Sequence, residues 1–188
     1  MKTMIDKVAA LALTVAMLAT TPAIAAQAGA APKVYGSDRN FEAWNLHCET
    51  RTDAKPHVRI CGLMSTVTLK NDTGASAVAL KLMLRTVPGE AGRQLSVDVP
   101  ISAWLPEGVR LIHAGKELVR LPFVACRPDS CQAGAVLSPD QLVALGAITD
   151  QADATYQLQT RKTVTLTFSM RGFAAGAAIL EKSLGEGV

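Results

Sequence analysis

From Phe41 onward, apolar and polar residues alternate in short runs. Trp44, Leu46 and Cys48 fall on one side of an extended chain, and Asn45, His47 and Glu49 on the other. Val78, Leu80, Leu82 and Leu84 alternate with Ala79, Lys81, Met83 and Arg85, and Leu95, Val97 and Val99 with Gln94, Ser96 and Asp98. The most regular run sets Val164, Leu166 and Phe168 against Thr163, Thr165, Thr167 and Ser169. Successive strand residues point to opposite faces, so a period of two marks strands with one buried face. Less regular strands are expected over 57–69, 108–112, 117–125, 132–137 and 154–159. Turn-forming residues separate these runs: Asn71-Asp72-Thr73-Gly74, Pro88-Gly89, Pro106-Glu107-Gly108, His113-Ala114-Gly115 and Pro128-Asp129. Two segments carry a helical period instead. Ser138-Pro139-Asp140 offers an N-cap and a first-turn proline ahead of Leu142, Val143 and Leu145, with Gly146 as the stop. Phe173, Ala177, Leu180 and Leu184 make one stripe closed by Gly185. About nine strands with a terminal helix predict an all-β antiparallel sandwich.

The first residues follow a different logic. Lys2 and Lys7 precede the apolar run Val8–Ala19, and Ala23-Ile24-Ala25 places small residues where signal peptidase cleaves. The run is shorter than the roughly 20 residues of a spanning helix, and no later stretch spans a membrane. Residues 1–25 therefore read as a signal peptide. Residues 26–38, rich in small residues, read as a flexible leader. Cleavage removes Lys2, Lys7 and Asp6, so the formal charge falls from +3 to +2. That is too weak to imply a polyanion, and only 4% of residues are aromatic. Nucleic-acid binding, which needs a basic surface or stacking faces, is not expected.

Export changes the meaning of the four cysteines. In an oxidising compartment Cys48, Cys61, Cys126 and Cys131 read as disulfides. Zinc would need two close ligand pairs. Cys126 and Cys131 could form one; Cys48 and Cys61, with twelve residues between them, could not form the other. A C-x-x-C redox pair is absent. Four cysteines allow three pairings. The adjacent one, Cys48–Cys61 with Cys126–Cys131, is expected. The first pair lies on successive strands, and the second brackets the Pro128-Asp129 reversal.

Catalytic signatures are missing: no G-x-S-x-G, H-E-x-x-H, G-x-x-x-x-G-K-[ST] or G-x-G-x-x-G occurs. His47, His57 and His113 are scattered, so neither a metal nor any other cofactor is expected. Arg85, Arg110 and Arg120 read as solvated strand positions. Trp104 stands out, because it lies in a connection bracketed by Pro100 and Pro106. An indole on a stiff loop suits a partner contact; folding back over the sandwich end is the alternative.

The ordered landmarks form a recognisable series. They are Trp44-x3-Cys48, Cys61, Val99-Pro100-x4-Leu105-Pro106-x-Gly108-Val109, Pro122-Phe123-x2-Cys126-x4-Cys131-Gln132-Ala133 and Phe168-Ser169-x2-Gly172-Phe173-x3-Ala177. Over about residues 41–182 the chain resembles the invasion-associated locus B family of exported bacterial proteins. Two positions depart from that pattern: Met64-Ser65-Thr66, where a glutamine is usual, and Ile101-Ser102-Ala103-Trp104, where a glycine is. The resemblance implies an immunoglobulin-like sandwich over 39–185, an envelope location and, for some members, a part in host-cell invasion. It carries no catalytic residue onto this chain.

Three functions are compatible with these features. The leading one is a non-enzymatic periplasmic protein, or one secreted or associated with the outer membrane, that binds a protein or envelope partner. A small hydrolase or carbohydrate-modifying enzyme would need convergent carboxylates, for example from Asp98, Glu107 and Glu117. A chaperone would present an open sheet edge beside apolar residues.

Overall fold

The computed structural model describes residues 34–51, 58–70, 72–86 and 92–183. The signal segment, the leader up to residue 33, and Leu184 and Gly185 of the C-terminal stripe lie outside them. Among the described residues, eleven strands form two antiparallel sheets. The larger sheet runs β1 (Val34–Phe41), β2 (Trp44–Arg51), β3 (Val58–Lys70), β4 (Ser76–Thr86), β5 (Arg93–Pro100), β9 (Ser130–Leu137) and β8 (Phe123–Cys126). The smaller runs β11 (Thr163–Ser169), β10 (Gln151–Gln157), β6 (Val109–His113) and β7 (Lys116–Leu121). Two helices complete an all-β, sandwich-like fold: α1 (Pro139–Gly146) and the C-terminal α2 (Phe173–Lys182).

The apolar stripes face inward. Leu46, Leu63, Leu80, Leu82, Leu84, Leu95 and Val97 of the large sheet share a core with Val109, Leu111, Val119, Leu121, Ala154 and Phe168 of the small one. The small sheet has too few strands to cover the large one, and α2 packs against β1 to β4. Phe173 meets Trp44 edge-on, with ring centroids 4.9 Å apart, and the indole Nε1–H donates to the Ser169 carbonyl at 3.0 Å. Gly176 lets α2 sit close, because a Cβ there would come within 2.4 Å of a Leu63 methyl. α1 begins with a capping box. The Gln141 N–H donates to the Ser138 hydroxyl, and the Ser138 N–H to the Gln141 side chain.

Three sequence expectations meet a correction. The single strand expected over 117–125 is two strands in different sheets, because Pro122 lacks the N–H that would continue the ladder. Its carbonyl still accepts from the Gly134 N–H at 2.9 Å. Val78 does not share the face of Leu80. A register shift at Val67/Thr68 gives β4 an extra residue, which buries Ala79 and leaves Val78 57% exposed. The segment read as a leader over 26–38 overlaps β1, which begins at Val34 and pairs with β2 along its whole length. Ser37 to Asn40 are exposed, so this edge strand carries no apolar alternation.

Both disulfides staple antiparallel neighbours. Cys48 lies opposite Cys61 in the β2–β3 ladder, and Cys126 opposite Cys131 in the β8–β9 ladder; each pair is bonded. The first bridge is buried in the core, whereas Cys126 is exposed.

Candidate partner-binding site

β5 ends at Pro100, and the chain turns through Ile101 to Trp104 into a short 3-10 turn at Leu105–Glu107. Gly108 closes it with φ 68°, where a Cβ would lie 2.4 Å from the Leu121 carbonyl oxygen, so no larger residue fits. This connection is tied to the β10–β11 hairpin. The Trp104 N–H donates to the Gln157 carbonyl at 2.7 Å, and the Gln159 N–H to the Ser102 carbonyl at 2.9 Å. Ala103 bridges to Leu158 and is buried, which pins the loop between its two hydrogen bonds.

The pinned loop presents the Trp104 indole half-buried, with the Arg161 guanidinium carbon 3.6 Å from the ring centroid. Arg161 reaches that position from a left-handed turn conformation, φ 65°, with its N–H bonded to the Leu158 carbonyl. Such stacking contributes about 0.5–1 kcal/mol at an exposed site and favours this orientation of the ring. Ile101 and Leu105 of the same loop are 48% and 46% exposed, and Lys162, next to Arg161 in the chain, is a second exposed cation. The loop thus combines an aromatic ring, two exposed aliphatic side chains and a stacked cation. Sequence reasoning singled out Trp104 but not Arg161, which stands 57 positions later at a turn with no glycine to announce it.

The remaining candidates are dispersed. Asp98 lies on the large sheet and accepts from Gln132 at 3.0 Å. Glu117 lies on the small sheet, where hydrogen bonds from Arg120 at 3.0 and 3.1 Å hold its carboxyl below the usual range. Glu107 sits exposed in the 3-10 turn. Two of the carboxylates are thus engaged on different sheets, not aimed at one point. His113 ends β6, where its Nδ1 contacts the Gln151 carbonyl at 2.9 Å. Among the described residues no cluster of His, Cys, Asp or Glu could hold a metal, and no helix is long and apolar enough to cross a membrane.

On the outer face of the large sheet, His47 is held between two carboxylates. Its Nδ1 meets Asp38 at 2.5 Å and its Nε2 meets Glu49 at 3.0 Å. The Asp38 hydrogen bond first, and then that of Glu49, raise its pKa above the ordinary 6.5. The protonated ring joins β1 to β2, so its stabilising contribution is complete below about pH 6.5 and fades as pH rises through the folded-state value. Hydrogen exchange of β1 amides should therefore quicken above that value, after correction for intrinsic rates, and His47→Gln should remove the extra pH dependence. An unchanged pH profile in the variant would contradict this role.

The scaffold and its landmarks agree with known proteins. The family model described as invasion associated locus B (IalB) protein matches residues 44–181. Among solved structures, the crystal structure of invasion associated protein B from Bartonella henselae is similar at a TM-score of 0.64. Sequence identity is 16%, and the match covers 81% of this chain and 99% of that one. A comparison with curated proteins finds no match. The residues that carry the family pattern here are largely those that hold the fold: Trp44 against Phe173, Gly108 against Leu121, Gly172 at the start of α2, and the paired cysteines. With nearly three quarters of its length matched by that model, this chain belongs to the invasion-associated locus B family.

Proposed function

We propose that the protein is an exported, non-enzymatic envelope protein that binds a protein partner through the Trp104–Arg161 surface. In keeping with its family, it would contribute to host-cell invasion or to envelope integrity. The observation that carries this reading is the indole stacked by Arg161 on a loop that also exposes Ile101 and Leu105. A large aromatic that is already ordered loses little entropy on binding, which is why such residues dominate interfaces. Export is supported by Lys2, Lys7, the Val8–Ala19 run and Ala23-Ile24-Ala25, together with two disulfides suited to an oxidising compartment. N-terminal sequencing of envelope-extracted protein should read a start near residue 26; a start at Met1 would contradict export by cleavage.

The alternatives draw less support. Asp98 and Glu117 lie on different sheets with partners of their own, which disfavours a two-carboxylate hydrolase. β11 is an edge strand, but its exposed positions are Thr163, Thr165 and Thr167. It offers backbone hydrogen bonds without the apolar anchors a chaperone edge would use.

Trp104→Ala separates a binding residue from a core residue. It should cost less than about 2 kcal/mol of stability, because only the cation–π contact and partial burial are lost. As an interface anchor it should cost at least about 2 kcal/mol of binding, roughly thirtyfold in affinity. Denaturant unfolding and partner titration read the two numbers. A stability loss of about 3–5 kcal/mol, as for a buried tryptophan, with unchanged binding would assign Trp104 to the core.

A further inference from the structure

We propose that the cavity between the end of α2 and the inward face of β1, β2 and β3 is a binding site for a phosphate group. The period of two sorts the charges at this end of the large sheet. Ser37 lies opposite Cys48, Arg39 opposite Leu46, and Thr50 opposite Arg59, all in register with the inward-facing residues. Asp38 and Glu49 alternate with them and face outward, where both meet His47. The last turn of α2 covers this inward surface with Ile179, Lys182 and Ser183. Arg39, Arg59 and Lys182 thus line one cavity of about 310 Å³.

No carboxylate among the described residues lines it. Glu181, next to Lys182, turns away to Arg93 at 2.8 Å. Arg39 and Lys182 have no ion-pair partner among the described residues. Arg39 and Lys182 carry like charges that repel one another, and an anion between them relieves that cost. A guanidinium presents paired N–H donors that match phosphate oxygens, and an ammonium adds a point charge. Ser37 adds a hydroxyl beside Arg39, whereas the Ser183 hydroxyl already donates to the Leu180 carbonyl at 2.7 Å. The volume is in the range of ligand sites and leaves room for a group esterified to the phosphate. In the envelope that group is either a lipid or a soluble molecule, and the cations recognise the phosphate in both.

The test titrates the full chain with inorganic pyrophosphate, and separately with phosphatidylcholine vesicles with and without phosphatidic acid. Saturable pyrophosphate binding is expected, weakened about tenfold by Arg39→Ala and by Lys182→Ala and unchanged by Lys116→Ala. Phosphatidic-acid-dependent vesicle binding with the same pattern identifies a lipid phosphate; pyrophosphate binding without it identifies a soluble ligand. Both outcomes support the site. No pyrophosphate binding, or equal weakening by all three substitutions, overturns it. The chain continues past Ser183 to Glu186, and Glu186→Gln should leave the affinity unchanged. A tenfold or greater gain in that variant would assign the cavity to the chain's own carboxylate and overturn the proposal.

Discussion

Replacing Gly172 with alanine should destabilise the protein by about 2–5 kcal/mol. Gly172 is the N-cap of α2 with φ 88° and ψ −13°. A left-handed residue with a Cβ costs about 1–2 kcal/mol. Here the new Cβ would also lie 1.9 Å from the Phe41 carbonyl oxygen and 2.6 Å from its carbon. Backbone atoms at that range cannot rotate away, so either β1 or the start of α2 must move, and overpacking of this kind costs a further 1–3 kcal/mol or so. Movement there disturbs the Phe173–Trp44 contact and the α2 cover over Leu63. Gly74→Ala is the control. Gly74 has φ 81° with nothing within 4 Å of a Cβ, so it meets only the conformational cost. Unfolding free energies of the two variants from denaturant titration should differ by about 1–3 kcal/mol; equal losses would show that the approach to Phe41 is not limiting.

Loss of the two disulfides should be unequal in rate and similar in size. The Cys48–Cys61 bridge spans 13 positions and Cys126–Cys131 spans 5. Loop-closure entropy then assigns about 3 kcal/mol to the first and about 2 to the second. Together these are a large share of the roughly 5–15 kcal/mol of a typical domain. Access orders the reduction, because Cys126 is exposed while Cys48 and Cys61 are each 3% exposed. Mild reductant should open Cys126–Cys131 first, with a modest fall in Tm, and the core bridge should open only as the sandwich unfolds. Non-reducing peptide mapping during a reductant titration follows both. Simultaneous opening, or a peptide joining residue 48 or 61 to residue 126 or 131, would contradict the arrangement.

Where one face of a strand is buried, the sequence showed it. Trp44, Leu46 and Cys48, and likewise Leu95, Val97 and Val99, are buried as their spacing implied. The cap at Ser138 and the hairpin at Ala114-Gly115, with φ values of 49° and 76°, were also legible, because both rest on local chemistry. Features that depend on a neighbouring strand were not. The extra residue that turns Val78 outward exists only against β3, and the sheet change at Pro122 needs two partners. β1 hid its nature because an edge strand buries little. In the candidate site Trp104 was visible as an odd residue in a proline-bounded loop. Arg161, the inward-facing cations Arg39, Arg59 and Lys182, and the Asp38–His47–Glu49 trio come together only through pairing across the sheet or helix packing.

Site-specific photo-crosslinking in intact cells can show whether the Trp104 surface meets a partner. A photoreactive residue replaces Leu105, which is 46% exposed beside Trp104, and in a second strain it replaces Val143, which is 72% exposed on α1. A discrete envelope adduct is expected from position 105, absent from position 143 and lost when Trp104→Ala is combined with the probe. No adduct at 105, or an adduct that survives Trp104→Ala unchanged, would contradict binding through this surface.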